Sequence, residues 1–292
     1  MSLTLLNGVA EIAARYDVFI CDLWGVVHDG EALYPGVADC LRRLRAGGAR
    51  VAFLSNAPRP SPTVARDLAR LGVTEDMADA LVTSGDATHE ALSRRTDPWH
   101  AALGRRFFHL GPPRCQPTVD GIGEEVGLES AEFIVCTGLF DDEHEQPEDY
   151  RTMLQPAAAR GLPLICANPD RIVMRGARMV PCAGAVADLY AELGGPVRHH
   201  GKPYGSVYKM VFERLGATGQ ENGAAAVMIG DSFHTDLEGA RNAGLDSIWI
   251  AGGVHAEEVG FRPDQPLDAA RIAAALARAG EQPTAVMGRL SW

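Results

Sequence analysis

The sequence has 292 residues and a formal net charge of −11, from 27 basic and 38 acidic side chains. Hydrophobic residues make up 46% of the chain and charged residues 22%, which excludes a disordered, collagen-like or coiled-coil protein. The acidic balance and the absence of a basic cluster disfavour nucleic-acid binding, because that affinity comes mainly from Lys and Arg contacts to phosphates. The longest apolar stretches fall short of the ~20 residues that a membrane span needs.

The N-terminal segment and the cysteines favour a cytoplasmic protein without disulfides. The segment has neither a basic start nor a long apolar core, so it is a poor secretory signal. No two cysteines have the C-x-x-C spacing of a structural zinc site. We expect buried thiols in a reducing cytoplasm at Cys21, Cys40, Cys115, Cys136, Cys166 and Cys182.

Strand and helix patterns alternate along the first part of the chain and again near its other end. The first set predicts a strand over 18–24, a helix over 37–46, a strand over 50–54 and a helix over 63–71. The second set predicts a helix over 204–215, a strand over 224–229, a helix over 235–243 and a strand over 247–251. This alternation predicts an α/β fold with a Rossmann-like, doubly wound parallel sheet that carries helices on both faces.

The middle of the chain predicts a second α/β domain inserted into the first. Its strand and helix patterns lie at 107–110, 133–136, 150–160 and 162–167. We expect a discontinuous core domain from 1–83 and 186–292, with the insert over 84–185. The segment after residue 281 has no clear period, and we interpret it as an appended arm.

Polar side chains follow the first two predicted strands. Asp22 ends the first strand shortly before Gly25, and Ser55 and Asn56 end the second. Ligands of doubly wound sheets bind beyond the carboxyl ends of the strands. There an aspartate can act as nucleophile or metal ligand, and hydroxyl and amide groups can bind an anionic oxygen. Taken alone, each residue is explained as well by a turn or a helix cap.

Two later segments add a cation and two further acids. Lys202 stands between a glycine and a proline just before a predicted helix, where it can neutralise phosphate charge or simply be solvated. Asp231 follows the strand over 224–229, and Asp236 lies at the start of the next helix. Two carboxylates placed in this way favour a hard divalent cation such as Mg²⁺, although Asp236 could instead cap the helix.

These four segments occur in order and together resemble the four motifs of the haloacid dehalogenase superfamily of phosphohydrolases. The long insert between the second and third motifs is similar to a C2-type cap domain. Three further segments resemble the class IIA, NagD-like subfamily: TSGDAT at 83–88, ANPDR at 167–171 and AGLDSIWIAGG at 243–253. The resemblance covers most of the chain and leaves its C-terminal segment unexplained.

The resemblance implies specific roles for the motif residues and Mg²⁺ as the cofactor. Asp22 would be the nucleophile that forms an aspartyl-phosphate. The implied metal-site residues are Asp22, Asp231, Asp236 and the main-chain carbonyl of Trp24. The implied phosphoryl-group contacts come from Ser55, Asn56, Gly25 and Lys202.

Motif one departs from the family pattern at Trp24. Most phosphatases of the family have a second aspartate there, which acts as general acid and base. Indole cannot exchange that proton, and loss of a general acid typically costs ~10²–10⁴ in rate. His28 or His234 could supply the proton instead, although a loop histidine without this role is equally consistent with each.

A tryptophan at this position also agrees with a different reaction or with binding alone. In one alternative, the leaving group of the substrate needs no proton. In another, the reaction is the hydrolysis of a phosphonate or a haloacid. Alternatively, the protein binds a phosphorylated metabolite with little turnover. Dehalogenases do not need metal-binding acids, so the retained Asp231 and Asp236 disfavour the haloacid alternative.

Residues of the insert are expected to select the substrate, because a closing cap excludes water from the site. Asn168, Asp170 and Arg171 follow a predicted strand of the insert and would face the substrate, unless they form an ordinary turn. Arg59 would attract a second anionic group, unless it is a surface arginine.

The sequence therefore predicts a Mg²⁺-dependent hydrolase that removes phosphate from a small phosphorylated metabolite, such as a sugar phosphate, through an aspartyl-phosphate. We expect no nucleic-acid or membrane partner. A homodimer formed through the cap would agree with the class IIA resemblance.

Overall fold

The larger of two parallel sheets is built from segments at both ends of the chain, in a computed structural model that describes residues 3–175, 178–216 and 225–292. Its strands are β1 (Leu5–Leu6), β2 (Val18–Cys21), β3 (Arg50–Ser55), β4 (Ala80–Thr83), β12 (Ala226–Gly230), β13 (Asp246–Ile250) and β14 (Ala285–Met287). They run in the order β1-β14-β13-β12-β2-β3-β4, and all neighbouring strands are parallel.

The second sheet is formed by the middle of the chain. The strands of this region are β5 (Arg106–Leu110), β6 (Glu124–Glu125), β7 (Phe133–Cys136), β8 (Leu164–Cys166), β9 (Ile172–Arg175), β10 (Arg178–Pro181) and β11 (Val197–His199). The sheet has the order β11-β8-β7-β5-β6, again with parallel neighbours, and β9 and β10 form a separate antiparallel pair.

Strand β11 pairs with β8 although it lies beyond the predicted end of the insert at residue 185. The domain limits stay a prediction, and this pairing favours an insert that continues to about residue 200.

Helices cover both faces of the larger sheet, which confirms the predicted fold class. Residues of β2 alternate between two apolar clusters, since Phe19 packs in the same cluster as Leu41 and Ile20 in the same cluster as Val207. The α-helices are α1 (Val37–Ala46), α2 (Ser61–Arg70), α3 (Ser84–Arg94), α4 (Pro98–Ala101), α5 (Arg151–Ala159), α6 (Ala183–Glu192), α7 (Gly205–Arg214), α8 (Glu238–Asn242) and α9 (Ala269–Ala279).

Three sequence predictions need correction or completion. The helix predicted over 235–243 is a single turn of π-helix, Phe233–Leu237, called the π-turn below, followed by the short α8. The segment after residue 281 is not an appended arm, because β14 lies inside the larger sheet between β1 and β13. Residue 224, the predicted start of a strand, lies outside the described residues.

The cysteines agree with a further expectation from the sequence. All six cysteines are buried and unpaired, as predicted. Within the described ranges, no helix is both long enough and apolar enough to cross a bilayer.

The topology brings three of the sequence-predicted motifs to one edge of the sheet. Strand β2 lies between β12 and β3, so the residues that follow these three parallel strands are neighbours. Asp22, Ser55 and Asp231 stand at these strand ends. The carboxyl edge of the sheet is therefore where a ligand site is expected.

Candidate active site

A buried lysine joins two of the predicted carboxylates. The Lys202 Nζ lies 2.7 Å from Asp22 Oδ1 and 2.6 Å from Asp236 Oδ1, and its side chain is 2% exposed. Burial alone would lower the pKa of Lys202, but the carboxylates of Asp22, Asp236 and Asp170 outweigh it and hold that pKa above its usual value. Lys202 is therefore a fixed positive charge beneath Asp22.

Asp22, Asp231 and Asp236 form one cluster in which an oxygen of each lies within 4.8 Å of the others. Burial, followed by the charge of neighbouring carboxylates, raises the pKa of Asp231 well above its usual value. When all three acids are ionised, as a bound cation would favour, three carboxylates and one ammonium leave excess negative charge in a buried space. Oxygen ligands and excess negative charge are what a hard divalent cation requires, so these residues fit a Mg²⁺-type site.

Asp236 organises the loop that carries Asp231. Its Oδ2 accepts hydrogen bonds from the backbone N–H groups of Asp231 at 3.0 Å and Ser232 at 3.1 Å, while Oδ1 faces Lys202. Asp236 therefore holds the loop that precedes the helix and pairs with Lys202, and it does not cap the helix in the way that the sequence leaves open as an alternative to a metal-site role. It lies in a π-turn, a rare conformation that occurs frequently at functional sites.

Backbone groups and glycines hold Asp231 from several sides. The Val254 N–H donates to Asp231 Oδ2 at 2.7 Å, and the Trp249 indole N–H donates to the Asp231 carbonyl at 3.0 Å. A Cβ atom at Gly25 or Gly253 would overlap Asp231 Oδ2. Gly25, predicted to contact phosphate, therefore lies directly against the metal-site carboxylate, and its φ of +79° also favours glycine.

The second motif connects the first sheet to the lysine loop and to the insert. Asn56 accepts a hydrogen bond from the Lys202 N–H at 2.8 Å and donates to Asp170 Oδ1 at 2.9 Å. The buried Ser55 accepts a weak hydrogen bond from the Ala57 N–H at 3.2 Å. Asn56 is thus a bridge between strand tip, lysine loop and insert, whereas Ser55 remains available to a ligand oxygen.

Trp24 packs inside the motif-one loop. Its ring meets the His28 ring edge to face, with centroids 5.1 Å apart, and a Cβ at Gly30 would overlap it. His28 is buried, and burial lowers its pKa to about 4. The His28 Nδ1 accepts a hydrogen bond from the Gly30 N–H at 3.0 Å. His28 therefore supports the loop, and it lines neither of the two cavities described next.

Two cavities meet at Asp22, Trp24 and Asp170. The smaller, of about 120 Å³, brings in residues of the second motif and the insert, among them Ser55, Asn56, Arg59, Asn168, Arg114 and Arg175. The larger, of about 510 Å³, is lined among others by Gly25, Arg171, Asp231, His234, His199, Tyr204 and His255. The described site thus contains most of the predicted residues, with Lys202 and Asp236 buried beneath it.

The predicted specificity arginines carry their own carboxylate partners. Arg59 is paired with Asp67, and Arg171 Nε lies 2.5 Å from Asp188 Oδ2. Both line a cavity, so a ligand anion would compete with these partners. Asn168 holds its own turn, since its Oδ1 accepts from the Asp170 N–H at 2.9 Å.

Sequence reasoning misses two groups at the cavities. Arg114 and Arg175 converge on Asp142, with the Arg175 pair at 3.0 Å, although these residues are far apart in sequence. The second group is His255, which pairs with Glu258 three residues later. The only sequence signal for the second group is a histidine and a glutamate in the loop after the segment at 243–253.

Comparisons with known proteins identify the family of the chain. The family model for haloacid dehalogenase-like hydrolases matches residues 19–125, and a HAD-hydrolase-like model matches residues 199–287. A crystal structure of a hydrolase of the haloacid dehalogenase-like family from Brucella suis 1330 is 38% identical. It superposes with a TM-score of 0.82 and covers 98% of this chain and 100% of that chain.

Two curated proteins are more distant relatives. The 4-nitrophenylphosphatase of Schizosaccharomyces pombe is 22% identical over 283 residues, which cover 88% of this chain and 91% of that protein. The ribonucleotide monophosphatase NagD of Escherichia coli K12 is 25% identical over 255 residues, which cover 84% of this chain and 92% of that protein. The chain belongs to the haloacid dehalogenase-like hydrolase family.

Proposed function

We propose that this protein is a Mg²⁺-dependent phosphatase that acts on a small phosphorylated metabolite through a covalent intermediate on Asp22. The observation that carries the proposal is the buried cluster in which Lys202 contacts Asp22 and Asp236 while Asp231 completes a set of three carboxylates. Curated relatives with phosphatase names support it.

The proposed reaction starts with attack of an Asp22 oxygen on phosphorus, which forms an aspartyl-phosphate and releases the alcohol. Lys202 would offset the repulsion between the carboxylate and the anionic phosphoryl group, and Ser55 and Asn56 would orient the phosphoryl oxygens. Asp22, Asp231 and the Trp24 carbonyl would hold Mg²⁺, supported by Asp236. When bound, the cation would stabilise charge that develops on the phosphoryl group. Water then cleaves the aspartyl-phosphate.

Competing functions account for Trp24 in different ways. Hydrolysis of a haloacid or a phosphonate would also use Asp22, but the haloacid reaction gives no reason for the buried Asp231 and Asp236. A binding protein without turnover would need none of the close positioning that Gly25 and Gly253 provide around Asp231. We favour the phosphatase for these reasons.

We also propose a cellular location, a role for the insert and an oligomeric state. We place the enzyme in the cytoplasm because of its buried thiols. The insert, 84–185 or slightly longer, would act as the cap that selects the substrate, and a homodimer through that cap follows from the class IIA resemblance.

The test is phosphate release from a panel of acyl, aryl and sugar phosphates, with Mg²⁺ and with a chelator. Wild-type protein should release phosphate only with the metal, and Asp22→Asn should abolish release. Asp120→Asn, at an exposed position, serves as the matched control and should retain activity. Release that survives chelation, or an active Asp22→Asn variant, would contradict the proposal.

A further inference from the structure

One imidazole beside the larger cavity is oriented by a carboxylate. The His255 Nδ1 lies 2.8 Å from Glu258 Oε2, and Glu258 is itself held by Arg278 at 2.5 Å. The His255 ring stacks on Phe233 with centroids 4.0 Å apart and an angle of 26° between the planes. A carboxylate at Nδ1 favours a proton on that nitrogen, so Nε2 is the atom that can accept or release a proton.

The same imidazole shares its cavity with the proposed nucleophile. His255 lines the larger cavity together with Asp22, Trp24 and Asp231. The preceding residue, Val254, donates its N–H to Asp231, so the loop that carries His255 is tied to the carboxylate cluster. Among the residues that the structure describes, none forms a hydrogen bond with the His255 Nε2. Nε2 is therefore free to meet a ligand.

The other imidazoles near the site are less suited to proton exchange. His28 is buried behind Trp24 and uses Nδ1 to accept from a backbone N–H. His234 lines the cavity but is exposed, and no described carboxylate orients its ring. The ring of His199 is stacked on Tyr204, and its Nδ1 is buried without a partner. Only His255 combines cavity access with an orienting carboxylate within the described ranges.

We propose that His255 is the general acid and base that replaces the function lost at Trp24, with Glu258 as its positioning residue. This inference rests on the proposed phosphatase activity. As the bond from Asp22 to phosphorus forms and the bond to the leaving oxygen breaks, the leaving oxygen takes the proton of His255 Nε2. Water then attacks the aspartyl-phosphate, its proton passes to Nε2, and Asp22 leaves as a carboxylate. The sum is ester plus water giving alcohol plus phosphate.

The groups around His255 determine its expected pH dependence. Glu258 faces it from its own loop, His234 from the π-turn, and Arg278 of α9 acts through Glu258. Burial lowers the pKa of His255, and Glu258 opposes that effect. Because this pKa lies below its ordinary value of 6.5, the acid form is lost as the pH rises towards neutrality, so hydrolysis of a poor leaving group should decline between acidic and neutral pH in the wild type.

The experiment compares two substrates of similar shape with different leaving groups, phenyl phosphate and 4-nitrophenyl phosphate, in the presence of Mg²⁺. His255→Gln should lower the rate with phenyl phosphate by roughly 10²-fold or more, and that with 4-nitrophenyl phosphate by less than about 10-fold. It should also remove that decline with rising pH. Glu258→Gln should give a smaller loss with the same dependence on the leaving group.

Two control variants separate this role from a structural one. Glu257→Gln changes an exposed neighbour and should leave both rates unchanged, and thermal unfolding verifies that each variant is folded. An equal loss with both substrates in His255→Gln would overturn the proposal. So would a loss that depends on the leaving group in His234→Asn but not in His255→Gln. If wild-type protein releases no phosphate from these two substrates or from any acyl or sugar phosphate of the panel, the proposed function itself fails.

Discussion

Two buried polar clusters contain residues of the same short segment, Lys202 in one and His200 in the other, and the two residues differ in charge. In one, Lys202 is paired at 2.6–2.7 Å with two carboxylates and stays charged. In the other, the Nε2 atoms of His100 and His200 lie 3.0 Å apart, and burial lowers the pKa of His200 to about 3. His200 therefore stays neutral.

The difference shows what each cluster is suited for. A buried ion is retained where an opposite charge touches it, and a buried base without such a partner gives up its proton. Within the carboxylate cluster, Lys202 keeps the positive charge that phosphoryl transfer requires. The imidazole cluster joins α4, which precedes the strands of the second sheet, to the chain that leaves β11, so it is suited to hold the two ends of that region together.

The largest expected effect comes from breaking the charged cluster. Lys202→Met leaves the carboxylates of Asp22 and Asp236 buried without a counter-charge, which should lower the free energy of unfolding by about 3–5 kcal/mol. Urea unfolding in a chelator measures the change. Lys209→Met is the matched control, because Lys209 is 81% exposed, and its cost should stay within ~0.5 kcal/mol. Equal costs for the two variants would disprove the charge argument.

The buried His200 should respond to acid. The pKa of His200 is about 3 in the folded protein and near its ordinary value of 6.5 in the unfolded chain, so the unfolded chain binds this proton first. Its contribution is complete above pH 6.5 and is lost as the pH falls towards 3, at up to about 1.4 kcal/mol per unit.

The measurement is the free energy of unfolding as a function of pH. His200→Gln should have a shallower slope than wild type between pH 6.5 and pH 3. Parallel curves for His200→Gln and wild type would show that His200 is not neutral in the fold.

A smaller effect is expected from crowding the charged cluster without changing its charge. Gly25→Ala places a Cβ against Asp231 Oδ2 and should reduce turnover by about 10²-fold, since displacement by about 1 Å has such a cost. Gly48→Ala is the matched control. Gly48 also has positive φ, +91°, but nothing lies within 4 Å of the added Cβ. Turnover assays at saturating Mg²⁺ should therefore find Gly48→Ala active, and an active Gly25→Ala would refute the crowding argument.

The smallest effect is expected beside His100, at the edge of the imidazole cluster. The Arg198 guanidinium lies over the Trp99 ring at 5.6 Å, and Trp99 meets His100 edge to face. Arg198→Met should reduce the free energy of unfolding by about 0.5–1 kcal/mol. A double-mutant cycle with Trp99→Leu isolates the pair. A coupling energy of zero would show that the contact does not stabilise the fold.

The sequence predicts the fold where the signal is local. The strands predicted over 50–54 and 247–251 agree within one residue with β3 and β13, because each is an apolar run with helices on both sides. Strand β14 has three residues and gains its place only by pairing with β13 and β1. No local pattern encodes such a partner, so the sequence alone favours an arm where the structure has a strand.

The candidate site is likewise predictable from the sequence only where the signal is local. The motif carboxylates and Lys202 are identifiable because each ends a strand or precedes a helix in a recognisable order. The hydrogen bond between Asn56 and Asp170 joins residues 114 positions apart, and no local sequence pattern near either residue predicts it. His255 escapes sequence reasoning because its orienting partner, Glu258, becomes meaningful only when the loop is folded beside Asp231.

The position of β14 affects how the chain can be assembled on the ribosome. Strand β13 pairs on one side with β12 and on the other with β14, residues 285–287. Until that segment emerges, a nascent chain exposes the unpaired edge of β13, and unpaired strand edges promote aggregation. The larger sheet must therefore finish late in synthesis, while the second sheet, whose strands end at residue 199, can form while translation continues.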